Sequence, residues 1–200
     1  MSVAASDVKA LRERTGAGMM ECKRALQDAD GDMTRAEEIL RERGLKSVEK
    51  RAGRSAAQGL IDAYIHFNNT VGVLVEVNCE TDFVAATEEF KTLTRDVALH
   101  IASAAPRWLA REDVPTSDLE AERRIFEAQA REQGKPDNVI EKMVEGKIEA
   151  FFRDNVLLDQ KFVKDDSTTI HARIDEVSAK VGEKVAVRRF VRYKLGEELD

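Results

Sequence analysis

Few residues in this chain have the type and spacing that covalent chemistry needs. A nucleophilic or metal-binding site would draw on two cysteines, Cys22 and Cys79, and three histidines, His66, His100 and His171. The cysteines are far apart, no Cys-x-x-Cys occurs and no histidine falls at ligand spacing. Neither a disulfide framework nor a zinc site is expected, and no metal or cofactor is implied. Cys79 could form a thiolate pair with a histidine, but it continues the odd-numbered apolar face of a strand, where a buried, inert thiol is the expectation. His66 stands beside Phe67 at a turn and reads as an edge residue. Motifs for phosphate cradling, dinucleotide binding, zinc hydrolysis and a nucleophile elbow are missing from the sequence. None of these chemistries has local support, which leaves a protein that acts by binding as the first reading and an unrecognised Cys/His enzyme as a remote one.

Two apolar features suit such a role. The first lies in "VEVNCETDFVAATEEF", residues 75–90, which opens as an alternating strand and closes as an acidic helix start. At the junction, Thr81-Asp82-Phe83-Val84 sets a carboxylate beside a large aromatic. If one helix ran unbroken from 82, Phe83 would lie in phase with Phe90 and Val97 and belong to the core. Against this, Thr87-Glu88-Glu89 reads as a second helix start, with Thr87 as N-cap and acids in the first turn. A separate turn at 82–86 would carry Phe83 off the core axis. The second feature is Met19-Met20, after the "TGAG" turn (15–18). On a wheel of about 100° per residue with Cys22 at the origin, Met19 points inward and Met20 outward. The pair either plugs the gap over the turn or offers an adaptable apolar contact to another protein.

The elements that must hold these features follow from periodicity. Residues 6–44 read as three short helices: Val8 and Leu11 line the first, after an N-cap at Ser6 or Asp7. Cys22, Ala25, Leu26 and Ala29 line the second; Ala36, Ile39 and Leu40 line the third, which Gly44 ends. "LKSVEKRAGRSAA" (45–57) is basic and small, a linker or a solvated helix. A hairpin follows, with Ile61, Ala63, Ile65 and Phe67 alternating, "NNT" turning, and Val71, Val73, Val75 and Val77 on one face. Helical spacing returns through Phe90, Leu93, Val97 and Ile101. Two further helices meet across Gly134 and Pro136, the second carrying Ile140, Met143, Val144, Ile148, Phe151 and Phe152 despite Gly146. A helix through Ile170, Ile174, Val177 and Val181 precedes a closing strand. That strand sets Val185, Val187, Val191, Tyr193 and Leu195 on one face and Arg188, Phe190, Arg192 and Lys194 on the other, and reads as a solvated edge or a partner surface. The fold class is α+β: a helical bundle (1–44), a linker (45–57) and a core (58–200) whose three-stranded, mostly antiparallel sheet is covered by helices.

Composition narrows the partners. The chain has 200 residues, 42% of them hydrophobic, enough to close a core; 35% are charged and the net charge is -6. That balance disfavours nucleic acid held by a dominant basic surface. No run is long and apolar enough for a membrane span, and no basic-then-apolar leader opens the chain. A reduced, cytoplasmic setting is expected.

The sequence resembles the bacterial elongation factor Ts family over essentially its full length. "LRERTGAGMMECKRAL" and "GVLVEVNCETDFVA" carry the likeness, and "FVKDDS" and "VAVRRFVRYKLG" agree with it. The resemblance implies a UBA-like N-terminal domain and guanine-nucleotide exchange on elongation factor Tu during translation. It implies that Thr81, Asp82, Phe83 and Val84 match the motif whose aromatic wedges beside the magnesium and phosphate site of Tu. Met19 and Met20 match a contact with another helix of the same Tu domain, with Lys9 and Lys23 as lesser neighbours. Short members are similar to a half-core that pairs with itself, so a homodimer binding two Tu molecules is implied. Val191 stands where some members carry a linking cysteine, which makes that dimer noncovalent. The alternative is a UBA-type adaptor or chaperone without exchange activity.

Overall fold

Glycine-bearing turns divide the N-terminal segment as its spacing requires. In the computed structural model, which describes residues 3–198, helix α1 spans Ala5–Thr15 and α2 spans Met19–Asp28. Between them Gly16 sits at φ 69°, a left-handed conformation that costs glycine nothing, and its N–H closes α1 on the Arg12 carbonyl at 2.8 Å. The N-cap of α1 is Ala4, which makes no side-chain bond. The expected cap at Ser6 or Asp7 is therefore corrected: both residues lie within the first turn, where Ser6 donates to Asp7 at 3.2 Å. Asp32 caps α3 (Met33–Arg51) by accepting from the Arg35 N–H at 3.0 Å. Val8, Leu11, Cys22, Ala25, Leu26, Ala29 and Ala36 form one buried cluster, with Ile39 and Leu40 packed against it, as the three stripes predict.

α3 is longer than its sequence implies, because it runs through Gly44 instead of ending there. A Cβ built on Gly44 would stand 3.1 Å from the Cβ of Ala179. The glycine serves close approach between helices, not termination. The basic segment 45–57 is accordingly helical as far as Arg51. Arg51 is buried and donates to the Ser178 carbonyl at 3.3 Å.

After α3 come β1 (Gln58–Ile65), β2 (Val71–Cys79), α4 (Asp82–Ala85), α5 (Glu88–Ala104), α6 (Thr116–Glu132), α7 (Asp137–Asn155), β3 (Lys161–Phe162), β4 (Asp165–Thr169), α8 (Ile170–Val181) and β5 (Ala186–Lys194). The antiparallel three-stranded sheet has the order β1-β2-β5, which makes the closing strand an edge. β3 and β4 form a small antiparallel hairpin that hydrophobic alternation did not reveal, since one arm has two residues and the other is polar.

The two apolar stripes of the β1–β2 hairpin lie on opposite faces of the sheet. His66 N–H donates to the Val71 carbonyl at 2.9 Å, so the turn sets an even-numbered residue opposite an odd-numbered one. A Cβ on Gly72 would meet Ile65 Cδ1 at 3.1 Å, which puts Ile65 over the even face of β2. Val73, Val75, Val77 and Cys79 are buried, whereas Ile61, Ile65, Phe67 and Leu74 are exposed. The single apolar face predicted for β5 also divides: Val187 is buried, while Val191, Tyr193 and Leu195 are exposed.

α6 and α7 form a hairpin with its own core of Val114, Ala130, Ile140, Val144, Ile148, Phe151, Phe152 and Val156. α7 passes through Gly146 unbroken. The chain packs as two compact units, one of Met1–Gly59, Asn78–Phe90 and Ile174–Ala186, the other of Leu60–Val77, Lys91–Arg173 and Val187–Asp200.

Candidate functional site

The end of β2 delivers the chain into a turn that hydrogen bonds brace from both sides. Thr81 is extended (φ -128°, ψ 155°) and caps α4, its hydroxyl oxygen accepting from the Val84 N–H at 3.3 Å. α4 is a single turn and does not merge with α5. Thr87 separates them, its hydroxyl donating to the Val84 carbonyl at 2.7 Å and accepting from the Phe90 N–H at 3.3 Å. This is the second helix start read from the sequence. Val84 and Ala85 are buried and Phe90 is fully so, but Phe83 is 81% exposed. Asp82 beside it is also exposed. The core reading of Phe83 fails because the break at Thr87 removes the phase relation to Phe90.

Residues distant in sequence clamp this turn. One carboxylate oxygen of Glu183 accepts from the N–H groups of Glu80 (3.1 Å) and Thr81 (3.0 Å), and the other accepts from the Thr81 hydroxyl at 2.6 Å. Thr81 therefore donates to Glu183 while accepting from Val84, which uses its hydroxyl in both senses. Glu80 replies across the same gap. Its carboxylate accepts from the Lys184 N–H at 2.7 Å and from Arg54 at 3.3 Å. Those bonds hold the Glu80 carboxyl below its ordinary range, the Lys184 N–H contributing most. Lys184 in turn donates through its ammonium to the carbonyls of Ala52 (2.6 Å) and Arg54 (3.0 Å) beyond the end of α3. Behind the turn, the Cys79 thiol donates to the Thr81 carbonyl at 3.1 Å. Burial, then the neighbouring Glu183 charge, pushes that thiol's pKa up, so Cys79 is a protonated donor and not a nucleophile.

The methionine pair opens α2. Met19 and Met20 are 58% and 59% exposed, so the inward placement of Met19 is corrected. A helical side chain leans towards the N-terminus, and from the first residue of α2 it leans past the end of the buried stripe that begins at Cys22. Glu21 stiffens this end by accepting from the Gly18 N–H at 3.2 Å. Lys23 is exposed one turn on from the pair, and Lys9 is exposed on α1, 3.8 Å from Glu13. Of the four consecutive residues Thr81, Asp82, Phe83 and Val84, Asp82 and Phe83 are exposed, Thr81 is half-buried and Val84 is buried, so a surface contact through Val84 is corrected; Met19, Met20 and Lys23 are exposed at the start of α2, and Lys9 on a different helix.

The remaining chemical residues do other work. Cys22 is buried in the bundle. His66 accepts or donates at 3.0 Å to the Tyr64 hydroxyl beside the hairpin turn. His100 is fully buried, a role its sequence context did not disclose. Among the described residues no group of three or more His, Cys, Asp or Glu side chains could hold a metal ion, and no helix is long and apolar enough to cross a membrane. The residues that sequence reading missed are Glu183 and Lys184. They follow Gly182 after α8, and nothing local marks them as partners of a turn about a hundred positions earlier.

The surface feature that the clamp holds in place is thus an exposed aromatic, Phe83, on a braced single turn. The family model described as "Elongation factor TS" matches residues 4–197. The elongation factor Ts of Carboxydothermus hydrogenoformans is 56% identical over 192 residues, covering 96% of this chain and 88% of that one. That of Moorella thermoacetica is 54% identical over 195 residues (98% and 96%), and that of Thermoanaerobacter sp. strain X514 is 52% identical over 198 (99% and 97%). The chain belongs to the elongation factor Ts family.

Proposed function

We propose that this protein is a guanine-nucleotide exchange factor that binds GDP-loaded elongation factor Tu and promotes GDP release during translation elongation. Phe83 enters the region around the magnesium ion and phosphates of Tu with Asp82 beside it, while Thr81 caps the turn and Val84, whose side chain is buried, backs it from the core instead of touching the partner. Met19 and Met20, flanked by Lys23 on α2 and joined by Lys9 from α1, grip another helix of the nucleotide domain. The observation that carries this reading is the 81% exposure of Phe83 on a turn whose neighbours Val84 and Ala85 are buried. An aromatic held out by a rigid support is suited to insertion into a partner.

Exchange needs no covalent step. It requires only that the factor favour a conformation of Tu that holds nucleotide poorly, and the coupling is reciprocal: nucleotide weakens the factor's binding as much as the factor weakens nucleotide's. Burying one phenylalanine is worth roughly 1.5–3 kcal/mol, whereas shifting an equilibrium by about 10⁴ takes about 5.5 kcal/mol. Phe83 supplies part of this and the methionine patch and core surface the rest. A noncovalent homodimer, giving a complex of two factors with two Tu molecules, fits the exposed apolar face of β1 and β2. Both cysteines are buried, which leaves neither available to link subunits.

Stopped-flow release of fluorescent GDP from Tu tests the reading. The wild-type protein is expected to accelerate release, and Phe83→Ala to reduce that acceleration between about tenfold and about 100-fold, the rate equivalent of the lost burial. An unaccelerated wild-type reaction sinks exchange in favour of an adaptor role; an undiminished Phe83→Ala sinks only the wedge.

A further inference from the structure

We infer that Glu183 is a positioning residue for exchange: its carboxylate sets the pose of the Phe83 turn without touching the partner, an inference that rests on the exchange reading above. Three donors converge on this one carboxylate, two of them consecutive backbone N–H groups at the point where β2 ends and the third the hydroxyl that caps α4. Consecutive N–H groups aimed at one oxygen fix the backbone direction of residues 80 and 81, and the cap fixes the start of the single turn that carries Phe83. α4 has only four residues and so lacks the internal ladder that would orient it by itself.

The carboxylate is itself held. Gly182 is in a left-handed conformation at φ 76°, which turns the chain sharply out of α8, and the Ser178 hydroxyl donates to the Glu183 carbonyl at 2.6 Å. The adjacent Lys184 N–H closes the reverse bond to Glu80. Because Lys184 also binds the carbonyls of Ala52 and Arg54, the same loop ties the Phe83 turn to the segment leaving α3. Phe83 is thereby referred to the N-terminal helices that carry the methionine patch. Two contacts on one partner gain from such a tie, since their spacing is set before binding and not at its expense.

The test compares GDP release from Tu by wild type, Glu183→Ala, Glu183→Gln, Phe83→Ala and the Glu183→Ala/Phe83→Ala double variant. Melting curves establish that each is folded. Glu183→Ala is expected to lower the maximal release rate between about tenfold and about 100-fold, the scale of a contact group misplaced by about 1 Å, with a smaller change in the half-saturating concentration. Glu183→Gln keeps a carbonyl oxygen for the two N–H groups and recovers most of the rate. The double variant is no slower than the slower single one, because a mispositioned turn has nothing left to lose at Phe83. Hydrogen exchange in the free protein should show faster exchange at the Glu80 and Thr81 amides in Glu183→Ala. If Glu183→Ala cannot be purified folded, Glu183→Asp, which withdraws the carboxylate by one methylene, carries the same expectations. The inference falls if Glu183→Ala or its substitute matches wild type while Phe83→Ala is slow, or if the two losses multiply in the double variant. If wild type itself fails to speed release, the exchange reading falls and takes this role with it.

Discussion

Residue by residue, the deciding variable is whether a polar group has found its partners. His100 is the clearest buried case. The Val163 N–H donates to its Nδ1 at 3.3 Å, so the ring proton sits on Nε2 and is given to the Gln160 side-chain oxygen at 2.9 Å. The Gln160 amide is oriented for this by donating to the carbonyls of Asp154 (2.8 Å) and Ala104 (3.4 Å). A second proton would face the Val163 N–H, and burial lowers the pKa of this histidine below its ordinary value. In the unfolded chain it titrates at about 6.5. Above that pH both states are neutral. Below it the unfolded chain takes up the proton first, so the contribution of His100 to stability is lost as pH falls from about 6.5 towards the lower folded value. Urea unfolding between pH 7.5 and 5 should show this loss in wild type and a shallower pH dependence in His100→Gln.

At the level of elements, two glycines that look alike in sequence behave differently. Gly44 and Gly146 both interrupt a helical pattern, and both α3 and α7 pass through them. Gly44 faces Ala179, so its missing side chain is used for packing. Gly146 has open space where its Cβ would be. Gly146→Ala is therefore expected to stabilise the protein by about 0.5–1 kcal/mol through helix propensity, read as a raised urea midpoint with an unchanged slope. The separation of α4 from α5 was legible because Thr87, Glu88 and Glu89 are a local capping signal. The end of α3 was not, because what prolongs that helix is contact with α8, supplied from the far end of the chain.

For the whole molecule, the sheet is the informative object. Its β2 face of Val73, Val75 and Val77 is buried, and on the other face of the β1–β2 hairpin Ile61, Ile65 and Leu74 meet solvent. Three large apolar side chains on adjacent strands suit an isologous contact with a second copy. Light scattering across concentration should give a mass near twice 22.4 kDa. The Ile61→Glu/Ile65→Glu variant should stay monomeric while retaining its fold, since neither side chain is part of the buried core. A wild-type monomer at all concentrations would remove the dimer and leave exchange by a single copy.

The sequence alone determined the periodic features: three N-terminal helices, the α+β class, the three strands, the Thr87 cap, and the family likeness at Thr81–Val84 and Met19–Met20. These depend on neighbours within a few residues, where spacing and capping chemistry act directly. Only the tertiary structure decided which stripe of the hairpin is wet, that Met19 points past the bundle, that Gly44 continues a helix, and that Glu183 and Lys184 clamp the turn bearing Phe83. Each of these depends on the register of a turn, the end of a bundle or a partner far along the chain. Local pattern carries no record of such contacts.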